Sequence, residues 1–174
     1  MNNKILIGIV IGIFAVALGV VLSRGPLYKV STESQGMMTN LARTQDKTYL
    51  TLAAVDGTFY NEMQTTGPYT LFVPTDQAFA KLPKATIANL QKSDTDNSWD
   101  RTNFLAAHMV IGEHPSSTLK DGTVLSTVQG KKITLTKKGN EWYIDGTIRV
   151  VQTDIISQNG IIYLIDGVLT PMPY

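Results

Sequence analysis

The chain has 174 residues, of which 43% are hydrophobic and 17% charged, with a formal net charge of +1 and no cysteine. This length fits one globular domain of ordinary size. The near-neutral charge gives no electrostatic argument for nucleic acid as a partner, and the lack of cysteine excludes disulfides, thiolate zinc sites, iron–sulfur clusters and cysteine nucleophiles.

The N-terminal segment contains an unbroken run of 18 apolar or glycine residues, from Ile5 to Leu22. At about 1.5 Å per residue, a helix of that length spans about 27 Å, which is close to the roughly 30 Å hydrocarbon core of a bilayer. We therefore predict a transmembrane signal-anchor helix over residues 1–24 and a linker over residues 25–32, which opens on a Gly-Pro pair. Two alternatives stay open: a secretory signal peptide cleaved at the small-x-small sequence of residues 15–17, and a buried core helix.

The small residues of this run share one face of the predicted helix. They follow one another at steps of four, three and four residues: Gly8, Gly12, Ala15 and Gly19. Such a GxxxG-type pattern lets two membrane helices approach closely, so it predicts a packing face for an integral membrane protein or a second copy of the chain. The alternative is that glycine is simply common in membrane helices.

After the linker, the apolar spacing is mostly helical as far as residue 108. It predicts two or three short helices from Glu33 to Met63 and a strand at Tyr69–Val73. Thr75-Asp76 offers the N-cap of a further helix, and helices are also predicted at Ala85–Gln91 and Trp99–His108.

The hydrophobic period changes from helical to alternating after Gly112. Turn signals at Lys138-Gly139-Asn140 and Asp145-Gly146 predict an antiparallel meander. The continuous apolar run Ile161–Ile165 predicts a strand that is buried on both faces. Helices followed by strands predict an α+β domain over residues 33–174.

Residues that could carry catalysis or bind a metal are scarce. The chain has two histidines, His108 and His114, and no HExxH, CxxC, G-x-S-x-G or GxGxxG sequence. A single histidine on an apolar helix face is usually a hydrogen-bonded core residue, and the spacing of the two does not suit a shared metal. We therefore predict a protein that is not an enzyme, with no catalytic residue, cofactor or metal site.

Four lysines cluster around one predicted hairpin: Lys131, Lys132, Lys137 and Lys138. Charged side chains on an edge strand prevent edge-to-edge pairing with other chains. We therefore interpret this cluster as protection of a sheet edge, and not as a site for a polyanion.

Three segments together resemble the fasciclin domain family. They read GPYTLFVPTDQAF from Gly67, FLAAHMVIG from Phe104 and TDIISQNGIIYLIDGVLTP from Thr153. Their order and separation fit the family over about residues 33–172. The resemblance implies a β-sandwich wedge with a cluster of helices, and a protein that is secreted or displayed outside the cytoplasm. It thereby sets the orientation of a single-pass protein, with a cytoplasmic N-terminus and a periplasmic or extracellular domain.

The resemblance also assigns roles to individual residues. It makes Asp76 and His108 the polar residues of the family's motifs, and we expect them to form a structural pair that satisfies two costly buried groups. Asp154 and Ile155 occupy the place of the Asp-Ile pair that animal members are thought to present to integrins. A strand end explains the same pair equally well.

Two functions of different class follow. The first is a non-enzymatic adhesion or protein-interaction module, anchored on the extracytoplasmic face and binding a protein or a polysaccharide. The alternative is an accessory subunit of a membrane-embedded complex of respiratory or photosynthetic type, docked through its transmembrane helix and its domain. Both imply a protein partner, including an integral membrane protein, and contact of the N-terminal helix with membrane lipid. Neither involves nucleic acid.

Overall fold

The computed structural model describes residues 35–92 and 98–170. The predicted anchor, its small-residue face and the linker lie outside these residues. Within the described ranges, no helix has the length and apolar character needed to cross a membrane.

Helices fill most of the first half of the described chain, as the sequence predicts. Three short helices precede the first strand, and Thr75 caps the next helix through a hydrogen bond of 3.1 Å from Ala78 N to its Oγ1. The helices are α1 (Met37–Arg43), α2 (Thr48–Val55), α3 (Gly57–Thr65), α4 (Asp76–Phe79), α5 (Lys84–Gln91) and α6 (Ser98–Ala107).

The strands form one sheet in the order β2-β1-β7-β6-β5-β4-β3. They are β1 (Tyr69–Pro74), β2 (Met109–Ile111), β3 (Thr123–Ser126), β4 (Lys132–Lys138), β5 (Glu141–Ile144), β6 (Ile148–Ser157) and β7 (Gly160–Ile165). The meander from β3 to β7 is antiparallel, whereas β1 and β7 pair in parallel. The predicted α+β class is confirmed. The parallel pair was not predicted, because strands so far apart in sequence leave no local signal.

Two hydrophobic clusters lie on opposite faces of β1 and β7. Leu71 and Ile162 contribute to the cluster beneath the helices, whereas Phe72 and Tyr163 contribute to the cluster shared with β3–β6. All six residues of β7 are buried. The prediction of a strand buried on both faces is therefore confirmed for the run Ile161–Ile165.

Gly160 lies where the backbones of β7 and β1 approach closely. Its φ angle is +145°, and a Cβ added to it would lie 2.0 Å from the backbone oxygen of Tyr69, its partner in the parallel ladder. No larger side chain fits this position without moving a strand.

The interpretation of the lysine cluster as edge protection is wrong. Lys132 begins β4 and Lys138 ends it, and β4 is hydrogen-bonded to β3 on one side and to β5 on the other. The strand is therefore interior to the sheet, and these lysines have no exposed edge to protect.

Candidate functional site

His108 is fully buried, as the sequence predicts, directly after α6. Its Nε2 accepts a hydrogen bond of 3.0 Å from Leu169 N, so its Nδ1 carries the proton and donates to the carbonyl of Phe104 at 2.7 Å. The rings of Tyr49 and Phe104 lie 5.7 and 4.7 Å from the imidazole, measured between centroids. Burial disfavours the charged imidazolium and lowers the pKa of His108 to about 4.

Asp76 does not pair with His108, and the predicted structural pair is corrected. The side chain of Asp76 is exposed, and its Oδ1 accepts hydrogen bonds from Lys47 N at 3.0 Å and Thr48 N at 2.9 Å. Partial burial raises the pKa of Asp76, but the hydrogen bonds from Thr48 and Lys47 outweigh it and lower the pKa overall. The carboxylate therefore holds the start of α2, whereas the imidazole holds the segment that follows β7.

Asp154 lies inside β6, not at a strand end. Its φ of +59° is in the left-handed region, and the register of β6 against β7 shifts between Gln152 and Ile155. The carboxylate accepts hydrogen bonds from Ser116 N at 2.8 Å and from the Ser116 hydroxyl. Desolvation raises the pKa of Asp154, but the bonds from Ser116 lower it overall.

Tyr163 completes the network around Asp154. Its hydroxyl donates to the carbonyl of His114 at 2.6 Å and lies 3.3 Å from Asp154 Oδ1. Burial, with the nearby Asp154 charge as a second cause, raises the pKa of Tyr163. The network joins the loop after β2 to β6 and β7, so the Asp154 carboxylate is engaged by groups of the domain itself.

Ile155 has a different environment from its neighbour. Its half-buried side chain packs against the cluster beneath the helices and lines a groove of about 470 Å³ between β6 and the loop that joins α1 to α2. The groove is lined by Asn40, Arg43, Thr44, Gln45, Asp46, Gln152, Ile155 and Leu164. Of the Asp-Ile pair predicted from the sequence, only the isoleucine contributes to this concave surface.

A second groove of about 270 Å³ lies on the other side of the same loop. It shares Gln45 and Asp46 with the first and adds, among others, Lys81 and Val151. Val151 and Ile156 are unusually exposed for apolar residues of a strand, at 48% and 40%. The two grooves, which we call the β6 groove surface, combine apolar side chains with amides and charged groups.

Arg43 is the cation of the first groove. It ends α1, is exposed, and has no carboxylate within ion-pair distance among residues 35–92 and 98–170, where both ion pairs involve Arg149. The neighbouring Asp46 carboxylate accepts a hydrogen bond of 2.8 Å from Asp76 N. The guanidinium is therefore available to an acidic or carbonyl group of a partner.

Sequence reasoning missed most of this surface. Asn40, Gln45 and Gln152 are ordinary polar residues in sequence, and only the fold brings them to one groove. His108 and His114 do not share a ligand site, and the described residues contain no group of three or more His, Asp or Glu side chains that could hold a metal ion.

Comparison with known proteins identifies the family of this domain. The model of the fasciclin domain family matches residues 33–171. The chain belongs to the fasciclin family. Its fasciclin domain also resembles, with a TM-score of 0.70 and 19% sequence identity, the FAS1 domain pair of the insect cell adhesion molecule fasciclin I; the match covers 87% of this chain and 57% of that one.

Relatives with this fasciclin domain come from bacteria and animals. The immunogenic protein MPB70 of Mycobacterium bovis is 38% identical over 105 residues, which cover 60% of this chain and 51% of MPB70. Human periostin is 29% identical over 119 residues, which cover 68% of this chain and 14% of periostin. The match thus spans about half the length of the mycobacterial relative and a small part of periostin.

Proposed function

We propose that the chain is a non-enzymatic interaction module of the adhesion type, anchored in a membrane by its N-terminal helix. Membership of the fasciclin family carries this proposal, since the solved FAS1 domain pair comes from an insect cell adhesion molecule. The β6 groove surface is the site we assign to a protein partner. The exposed Val151, the half-buried Ile155, the amides and the exposed Arg43 guanidinium of this surface suit an irregular protein partner.

The proposed architecture has an anchor at residues 1–24, a linker at 25–32 and the fasciclin domain at 33–174. The N-terminus lies in the cytoplasm and the domain is periplasmic or extracellular. The length of the run Ile5–Leu22 supports the anchor, and the family resemblance supports the orientation. Residues 33–174 alone should fold without a metal; a large loss of melting temperature on adding EDTA would contradict this.

The partner site is tested with one substitution in the groove and one outside it. Gln152→Arg places a long charged side chain in the groove, and Gln91→Arg makes the same change at the exposed end of α5. The tagged full chain is purified from gently solubilised native membranes, and the co-purifying proteins are identified. We expect Gln152→Arg to lose a stoichiometric partner that Gln91→Arg retains. Equal recovery with both variants would show that the groove is not the interface.

A second candidate function is an accessory subunit of a membrane-embedded complex. The face formed by Gly8, Gly12, Ala15 and Gly19 favours it, because small residues let membrane helices pack closely. Gly12→Leu adds bulk to that face, and Val10→Leu adds a similar apolar group elsewhere on the helix. If the chain is such a subunit, Gly12→Leu should still insert but lose its integral membrane partner, whereas Val10→Leu keeps it. Equal recovery would leave the helix as a simple anchor.

A further inference from the structure

Protection of a sheet edge does not explain the four lysines of the β3–β5 region. They form two pairs at the ends of β4, with Lys131-Lys132 at its start and Lys137-Lys138 at its end. At about 3.3 Å per residue, the two pairs are about 20 Å apart along the strand. We call them the β4 lysine pairs.

Three of the four ammonium groups are held in defined positions. Lys131 Nζ donates to the carbonyl of Thr170 at 3.0 Å, and Lys138 Nζ donates to that of Gly146 at 2.9 Å. Lys138 Nζ also lies 4.6 Å from the centre of the Tyr143 ring, and Lys137 Nζ lies 5.5 Å from that of Trp142. Side chains that are already ordered lose less conformational entropy when a ligand binds.

The carboxylates near these lysines are bound to other groups. Asp121 Oδ1 accepts from Lys137 N and Asp145 Oδ1 from Thr134 N, both at 2.8 Å. Glu141 pairs with Arg149 at 3.2 Å. Among the residues that the structure describes, none of the four lysines has a carboxylate within ion-pair distance.

Basic and acidic residues are unevenly distributed along the described part of the chain. Residues 115–150 contain six basic and three acidic residues, whereas the other described residues contain six basic and eight acidic ones. Four like charges within eight positions repel one another, and a bound anion would relieve that repulsion.

We propose that the β4 lysine pairs bind an acidic polysaccharide, one that carries sulfate or carboxylate groups along its chain. A linear polyanion can reach both pairs at once. Lys137 and Lys138 are neighbours at the end of β4, so their side chains point to opposite faces of the sheet, and the cations do not form the single plane that a membrane surface requires. Trp142 is only 7% exposed and Lys138 lies over Tyr143, so neither ring is open for the stacking that single-stranded nucleic acid uses.

The experiment uses the full chain in phosphatidylcholine nanodiscs, with fluorescent dextran sulfate as the probe and uncharged dextran of equal length as its control. The test variant is Lys132→Gln with Lys137→Gln, which removes one cation from each pair. The matched control is Lys84→Gln with Lys92→Gln, two exposed lysines at the ends of α5. A second test variant, Lys131→Gln with Lys138→Gln, removes the other cation of each pair. Urea unfolding of every variant checks that it is folded.

We expect dextran sulfate to bind, to weaken steeply as salt rises, and to lose about tenfold or more in affinity in either test pair but not in the control pair. Uncharged dextran should not bind. Absence of binding, or equal weakening in the test and control pairs, would overturn the proposal. The proposal would also be overturned if phosphatidylglycerol vesicles competed for the protein as effectively as dextran sulfate at equal charge, since the occupant would then be a lipid surface. The β4 lysine pairs share no residue with the β6 groove surface, so failure here leaves the partner experiment unaffected.

Discussion

Asp46 and Asp76 each bind a backbone amide of the other's segment. Asp46 Oδ1 accepts from Asp76 N at 2.8 Å, and Asp76 Oδ1 accepts from Lys47 N, the residue after Asp46, at 3.0 Å. This exchange joins the loop between α1 and α2 to the first turn of α4. The same loop separates the two grooves beside β6, so the exchange fixes part of the candidate partner surface.

Replacing Asp76 should therefore destabilise the domain although its side chain is exposed. Asp76→Ala leaves the amides of Lys47 and Thr48 without their acceptor, which resembles the loss of a helix N-cap and should cost about 1–2 kcal/mol. Urea unfolding of residues 33–174 measures this. Gln77→Ala, at the exposed next position, is the control and should change stability by less than about 0.5 kcal/mol. Equal effects of the two substitutions would contradict the assigned role.

The sequence predicted Asp76 as a structural residue but not its partners. The Thr75-Asp76 cap and the helix after it are local features, and the structure confirms them. Asp46 lies 30 positions earlier, in a loop whose conformation no local pattern sets. The predicted pairing of Asp76 with His108 was wrong because a shared family motif does not say which side chains are in contact.

The free energy of unfolding should fall as the pH falls from 6.5 towards 4, through His108. The folded protein keeps this imidazole neutral, with a pKa of about 4, whereas the unfolded chain has the ordinary value of 6.5 and so binds the proton first. The stabilisation is complete above pH 6.5 and should decrease by about 2 kcal/mol at pH 5.

Urea unfolding of wild type and His108→Gln at pH 7.5 and pH 5 isolates this effect. Glutamine can form hydrogen bonds but does not titrate, so the variant should lack the component of the pH dependence that His108 contributes. If both proteins lose the same stability between the two pH values, His108 is not the group responsible.

Gly160 should tolerate no side chain, because a Cβ there would meet the backbone oxygen of Tyr69 at 2.0 Å. Gly160→Ala should lower the free energy of unfolding by about 3 kcal/mol or more, because it both strains the backbone and displaces β1 or β7. Gly139→Ala is the matched control, since Gly139 also has a positive φ, of +62°, but nothing lies within 4 Å of its added Cβ. The control should cost about 1 kcal/mol. Similar losses in thermal unfolding would show that the close approach is unimportant.

Asp154 should act through the loop it holds and not through direct contact with a partner. Asp154→Ala removes the acceptor of Ser116 and places alanine at a φ of +59°, with an expected cost of about 2 kcal/mol. Asparagine tolerates this backbone conformation and keeps one side-chain oxygen as an acceptor, so Asp154→Asn should lower the stability by less. Amide hydrogen exchange at Ser116 is the specific readout. Unchanged protection there in Asp154→Ala would contradict the assignment.

The candidate site was less predictable than the fold. Alternating threonines and aliphatic residues indicated β4 and its turns, because strand patterns are local. The position of β4 inside the sheet depends on β3 and β5 pairing with its two edges, and that changed the interpretation of its lysines. Ile155 was noticed only through the family resemblance, and its groove depends on α1, more than a hundred positions earlier in the chain.

The parallel pairing of β1 with β7 has a consequence for how the chain is made. Tyr69–Pro74 emerges early in synthesis, but its neighbour Gly160–Ile165 is the last strand among residues 35–92 and 98–170. Until that strand arrives, this buried and mostly apolar segment has one edge uncovered, and non-local pairing of this kind forms slowly. A domain exported as an unfolded chain would therefore complete its sheet only after nearly all of it had crossed the membrane.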